Sequence, residues 1–172
     1  MATIGRMSEI VAQINKGLAD SIADTMHGNK GVFLQAIKEQ LYSGLDSTDK
    51  YLNPNYDNDP FFDEEGEWKD RNEDYKAWKM EKSPPKRGPL LHLDPRPKNI
   101  PSLYINGKFY SELNASDSKD GVLFGVDETG DGPAIVGKWN NILGIGPTGK
   151  VYFRDNVLVP SILKFYEKCG YI

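Results

Sequence analysis

Cysteine is almost absent from this chain, with Cys169 alone in 172 residues. An intramolecular disulfide and a thiolate metal cage are thereby excluded. Histidine is nearly as scarce, represented only by His27 and His92. Neither has a Ser or Cys partner at a spacing that would mark a nucleophile and its base. Excess basic charge is missing too: 21 Lys and Arg stand against 25 Asp and Glu, for a net charge of −4. Phosphate backbones reward clustered cations, so composition gives no reason to expect sequence-specific nucleic acid binding. No window approaches the eighteen apolar residues of a membrane span. The opening Met1-Ala2-Thr3-Ile4-Gly5-Arg6 lacks the basic-then-apolar order of a secretory signal. The chain reads as soluble, without a catalytic set, a cofactor site or a metal site.

What is present begins with periodicity. Ile4, Met7, Ile10, Val11, Ile14, Leu18, Ile22 and Met26 recur at spacings of three and four and fall on one face of a helix. Gly28 is its expected left-handed stop. That face reads as core, or else as a face held for a neighbouring subunit. A second helix is expected over about Lys30–Tyr42, with Val32, Phe33, Ala36, Ile37 and Leu41 inward and Gly44 ending it.

From Asp46 to Pro101 the periodicity fails. Ten acids and four bases lie between Asp57 and Glu81, and Lys82–Lys98 carries five basic residues and five prolines. Structureless stretches of this length are uncommon inside one domain and are usually functional loops or disordered. Disorder fits poorly, because Tyr51, Tyr56, Phe61, Phe62, Trp68, Tyr75 and Trp78 are more aromatics than solvated linkers carry. Residues 46–100 are therefore expected to form a long loop or arm, packed on itself or on a partner. Those seven aromatics are its candidate interface anchors. Within it, Asp70–Met80 is expected to be a short helix presenting Tyr75 and Trp78.

Strand signals follow. Leu103-Tyr104-Ile105 and Lys108-Phe109-Tyr110 flank Asn106-Gly107, which reads as a hairpin turn. Val122–Val126 is an expected strand followed by a turn over Asp127–Gly132, and Ala134–Val136 and Val151–Phe153 are further candidates. A last helix is expected over about Asn156–Lys168, capped by Asn156, with Pro160 tolerable only in or near its first turn. Ile162, Leu163, Phe165 and Tyr166 supply its buried face and Gly170 ends it. The whole chain, 1–172, is expected to be a single α+β domain: two helices, the long loop, a small mainly antiparallel sheet of three to five strands, and a terminal helix.

Two stretches imitate chemistry. Gly144–Lys150 satisfies GxxxxGK, but a phosphate loop needs a following Ser or Thr and a helix N-terminus. The next residue is Val151, in a β-like run, so a Gly-Pro turn between strands is the simpler reading. The acids around Asp57, Asp59, Asp63, Glu64, Glu65 and Glu67 suggest calcium. An EF-type loop starting at Asp57 would need Gly and Glu where Phe62 and Trp68 stand, so a solvated acidic loop is the default.

Gln40-Leu41-Tyr42-Ser43-Gly44-Leu45-Asp46, then Leu52-Asn53-Pro54-Asn55-Tyr56, resembles the QLY-x-G-[IL]-D … L-x-P-x-Y stretch of small tail-completion or head–tail connection proteins from phages and prophages of Bacteroidetes hosts. Asn106-Gly107-Lys108-Phe109-Tyr110 is similar to that family's TG-x-FY, and Asn141-Ile142-Leu143-Gly144-Ile145 to its glycine-bounded ILGL. The resemblance spans roughly residues 40–166 and rests on the order of the four matches. It implies a small sheet flanked by helices, assembled as a ring with loops reaching neighbours.

The expected function is then a structural subunit of a virion, made in the host cytoplasm. Its partners would be copies of itself and phage neck, portal or tail proteins, with no membrane. DNA would pass through the ring's channel, lined or guarded by the acidic tract. The alternative is a monomeric binding or accessory domain outside the virion, with a ligand cleft under the long loop.

Overall fold

The computed structural model describes residues 4–119 and 121–171, so the first three residues of the N-terminal stretch read above lie outside it. Helix α1 runs Ile4–Gly28 and α2 runs Lys30–Tyr42. The corner between them is Asn29, whose φ of −113° leaves the helical region, while Gly28 stays helical and is not the left-handed stop. Gly44 does take that role, at φ +72°. Its N–H and that of Leu45 donate to the carbonyls of Leu41 and Gln40, the paired bonds of a Schellman cap. A Cβ at Gly44 would collide with the Ile100 side chain, so no larger residue fits this close approach.

The segment after Gly44 carries a short 3₁₀ turn, Pro60–Phe62, and α3, Asn72–Lys82. Helix α4, Lys108–Glu112, leads into strand β1, Leu113–Ser118, which pairs antiparallel with β2, Gly121–Val126. Helix α5 is Gly132–Lys138. Helix α6, Pro147–Phe153, passes through a π turn, Arg154–Leu158, directly into α7, Val159–Lys168.

The architecture is mixed helix and sheet, and its sheet is one two-stranded antiparallel hairpin rather than three to five strands. Four expected strands are corrected. Asn106-Gly107 does not join a hairpin. Leu103 takes φ +53°, interrupting an extended run. Gly107 at φ +84° instead starts α4, with Asn106 Oδ1 accepting the Lys108 N–H at 3.0 Å. Ala134–Val136 and Val151–Phe153 are helical because Pro133 and Pro147 sit in first turns, where a fixed φ favours helix and the missing N–H is not needed. Asn156 is no cap. It lies inside the π turn and its side chain donates to the Tyr152 carbonyl. The wide turn precedes Pro160, whose ring would otherwise meet the carbonyl of Asn156.

Core packing centres on α2. Ile37 and Leu41 meet Leu52, Phe109, Tyr110, Leu113 and Ile142. Phe33, one turn earlier, stacks on Phe153 at 4.0 Å and meets the edge of Phe124, joining α2 to α6 and β2. Helix α1 behaves differently. Ile10 is buried, yet Ile4, Met7 and Val11 are 92%, 47% and 48% exposed, so the first turns of its apolar face are left uncovered by the described residues. On α7, Leu163 is likewise exposed rather than buried. The two helices lie antiparallel, with Gly17 against the Phe165 ring.

Candidate interaction surface

Residues 46–100 are folded onto their own chain, the first of the two outcomes expected for them. Tyr75, on α3, is the hub. Its ring lies 5.3 Å from Tyr56, 5.3 Å from Phe62, 5.9 Å from Phe61, 5.1 Å from Trp68 and 5.4 Å from Trp78. Aromatic pairs at such separations contribute about 0.5–1.5 kcal/mol each beyond area burial, so this is a small core in its own right. Asp59 caps the 3₁₀ turn through the Phe61 N–H. Both its oxygens also receive the Lys138 ammonium at 2.6 Å, which ties the loop to α5. The Trp139 indole donates to the Pro54 carbonyl at 3.1 Å.

The seven candidate anchors divide accordingly. Tyr56 and Phe62 are buried, so they are core residues and not surface anchors. Trp68, Tyr75 and Trp78 are half-buried within the cluster. Tyr51 and Phe61 are the exposed ones, at 50% and 41%. Tyr51 stands apart, bridged to Leu45.

Beneath the loop lies a cleft of about 180 Å³, with Tyr56, Asp59, Tyr75, Lys79, Lys138 and Trp139 among its walls. The charged groups of this cleft bond one another or the backbone. Asp59 and Lys138 are paired, and the buried Lys79 ammonium donates to the Tyr104 carbonyl. Burial, then the neighbouring Arg96 guanidinium, lowers the Lys79 pKa to about 8. Burial, then Asp59, raises Tyr75 to about 12.

Sequence reasoning placed Val151 in a strand after the GxxxxGK run; a helix N-terminus stands there instead. Its amides already have acceptors. Thr148 N–H and Oγ1–H both donate to Asp49 Oδ2, at 2.8 and 2.6 Å, and Gly146 N–H donates to Gln40 Oε1 at 2.7 Å. A carboxylate of the chain itself sits where a phosphate would. Asp49→Ala is expected to lower unfolding free energy by about 0.5–2 kcal/mol, read from urea denaturation, with Asp49→Asn keeping most of it. A silent Asp49→Ala would remove this cap from the account.

His27 lies within 3.1 Å of the Gly121 carbonyl, and His92 is exposed on the proline-rich stretch. Among the described residues no three His, Cys, Asp or Glu side chains converge as a metal-holding group. No described helix is long and apolar enough to cross a membrane. Comparison with protein-family models, with curated proteins and with solved structures returns no match.

Reading the sequence missed the buried polar set. Gln40, Glu39, Lys79, Ser83, Arg96 and Ser102 are all buried. Arg96 offers a signal in hindsight: it stands between Pro95 and Pro97, where the backbone is stiff and a long side chain can be aimed.

Proposed function

We propose that this chain is a structural subunit of a phage virion, a neck or tail-completion protein that assembles as a ring between head and tail. The observation that carries the assembly is the uncovered stripe of Ile4, Met7 and Val11 on α1. Fully burying such a side chain contributes about 1.5–3 kcal/mol, and roughly half of that is still to be gained at the half-exposed Met7 and Val11. Val159 and Leu163, one turn apart on α7, add exposed apolar surface. The head–tail role itself rests on the order of short motifs from Gln40 to Ile145. In this reading the protein acts by contact with copies of itself and with neighbouring neck, portal or tail proteins, and performs no chemistry.

The second reading, a monomeric binding domain, draws on the cleft under the loop. Its charged groups are already paired with one another or the backbone, which favours the first.

The double substitution Met7→Asp with Val11→Asp is expected to shift the purified protein to lower mass by light scattering. Its thermal midpoint should change little, since exposed substitutions usually move stability by no more than about 0.5 kcal/mol. A wild-type protein that stays monomeric at every concentration, alone and with candidate neck proteins, would end this reading.

A further inference from the structure

Between α2 and the proline-rich stretch runs a second cleft, about 410 Å³, lined by Gln35, Lys38, Glu39, Tyr42, Lys82 and Lys86 among others. Its single carboxylate is already engaged. Glu39 accepts N–H groups from Leu90 and Leu91, and the Gln35 amide. Among the described residues, Lys38, Lys82 and Lys86 have no ion pair. One more cation stands behind the walls. Arg96, 4% exposed, lies 5.6 Å from the Tyr42 ring, and its Nη1 has no acceptor among the described residues. Lys86 approaches the same ring at 5.3 Å. Four positive charges thus surround one carboxylate that is bonded elsewhere. The cleft is built for an anion.

The chain carries a matching anion that it does not deliver there. Asp63-Glu64-Glu65-Gly66-Glu67 is an exposed turn, closed at its neck by the Asp70 N–H donating to the Phe62 carbonyl at 2.9 Å. Glu65 pairs with Lys69, but Asp63, Glu64 and Glu67 have no ion pair among the described residues. The turn precedes α3 and Lys82 ends it. The residues flanking the turn, Phe62 and Trp68, pack alongside α3 on Tyr75 and Trp78, yet no ion pair joins turn and cleft among the described residues. Opposite charges on separate patches of one chain make a heterologous, head-to-tail contact between copies, which closes into a ring when the rotation allows.

We infer that the acidic turn 63–67 of one copy docks into the Lys38–Lys82–Lys86 cleft of the next. This rests on the ring reading and deepens it by naming a charged contact between neighbouring copies beside the apolar one on α1. The turn's closed neck keeps the ordering penalty of docking low.

The test is a charge swap followed by sedimentation velocity at 50 and 500 mM NaCl, with thermal midpoints as the folding control. Lys38→Glu, Lys82→Glu and Lys86→Glu together give a chain with an acidic turn and an acidic cleft. Asp63→Lys, Glu64→Lys and Glu67→Lys together give a basic turn and a basic cleft. Each alone is expected to associate at least about tenfold more weakly than wild type, and wild type to weaken at high salt. An equimolar mixture is expected to restore assembly, with the two chains alternating. If either variant alone assembles as wild type does, or the mixture fails to restore it, this junction is wrong while the ring survives. A wild type that is monomeric throughout takes both down.

Discussion

Arg96→Ala is expected to destabilise the protein by about 2–4 kcal/mol, the largest loss of any single substitution outside the apolar core. The guanidinium is buried and its Nε donates to the Ile100 carbonyl at 3.1 Å. Its Nη2 donates to the Ser83 carbonyl at 2.5 Å and the Ser83 hydroxyl at 3.1 Å. That hydroxyl lies 3.0 Å from the Ser102 hydroxyl, and the Tyr110 phenol donates to the Ser102 carbonyl at 2.5 Å. Truncation would leave two carbonyls and a hydroxyl short of a donor, each costing about 1–3 kcal/mol when buried. Against this stands the relief of desolvating a cation, which is why the net falls below the sum. Arg96→Lys should recover no more than about half, since a point ammonium cannot reproduce the planar fork. Urea midpoints would decide it, and a change under about 0.5 kcal/mol would mean that water replaces the side chain freely.

Lys79 is expected to behave in the opposite way. It too is a buried cation without a carboxylate, but it has a single carbonyl acceptor in place of a fork. Its pKa, lowered from 10.5 to about 8 by burial and then by Arg96, corresponds to a penalty of about 3 kcal/mol at neutral pH. Lys79→Met removes that penalty and loses one hydrogen bond of about 1 kcal/mol, so it should stabilise by about 2 kcal/mol at pH 7. The sign with pH follows from proton counting. Between pH 8 and 10.5 the unfolded chain holds a proton on Lys79 that the folded one has released, so wild-type stability rises with pH over that window. The methionine variant lacks this rise, and its advantage should fade by about pH 10. Above that the tyrosines intervene. Burial holds Tyr75 at about 12 and Tyr110 well above its ordinary 10, so their contribution is lost as the unfolded chain ionises. Denaturation series from pH 7 to 9.5 give the cleanest comparison. A wild type as flat as the variant would show that Lys79 stays hydrated.

What the sequence disclosed follows from how local each determinant is. Helix α2 was legible to the residue, since Phe33, Ala36, Ile37 and Leu41 mark one face and Gly44 supplies a backbone conformation few other residues adopt. Strand β2 was legible through Val122–Val126. Its partner β1 was not, because Leu-Asn-Ala-Ser-Asp-Ser carries almost no apolar alternation and is strand only through its pairing with β2. The triples Ala-Ile-Val and Val-Tyr-Phe suit a strand or a buried helical turn equally, and the deciding residues were Pro133, next to the first, and Pro147, four positions before the second. The aromatics of 46–100 announced a packed segment without saying what they pack on. Tyr56 and Phe62 turned out to be core because α3 brings Tyr75 back over them. On α1 the stripe itself was plain, but no described residue covers its first turns. Arg96 and Lys79 were invisible because burying a cation depends on carbonyls and rings that meet only in three dimensions.

The tie between Gln40 and Gly146 spans 106 positions, and the one between Asp49 and Thr148 spans 99. During synthesis at 5–20 residues per second, Gln40 therefore waits roughly 5–20 s before Gly146 exists. Phe33 waits longer still for Phe153. For that interval the nascent chain carries the apolar faces of α1 and α2 with their main partners not yet made, and copies on neighbouring ribosomes carry the same faces. Until Phe153 is made, Phe33 has no ring to stack on.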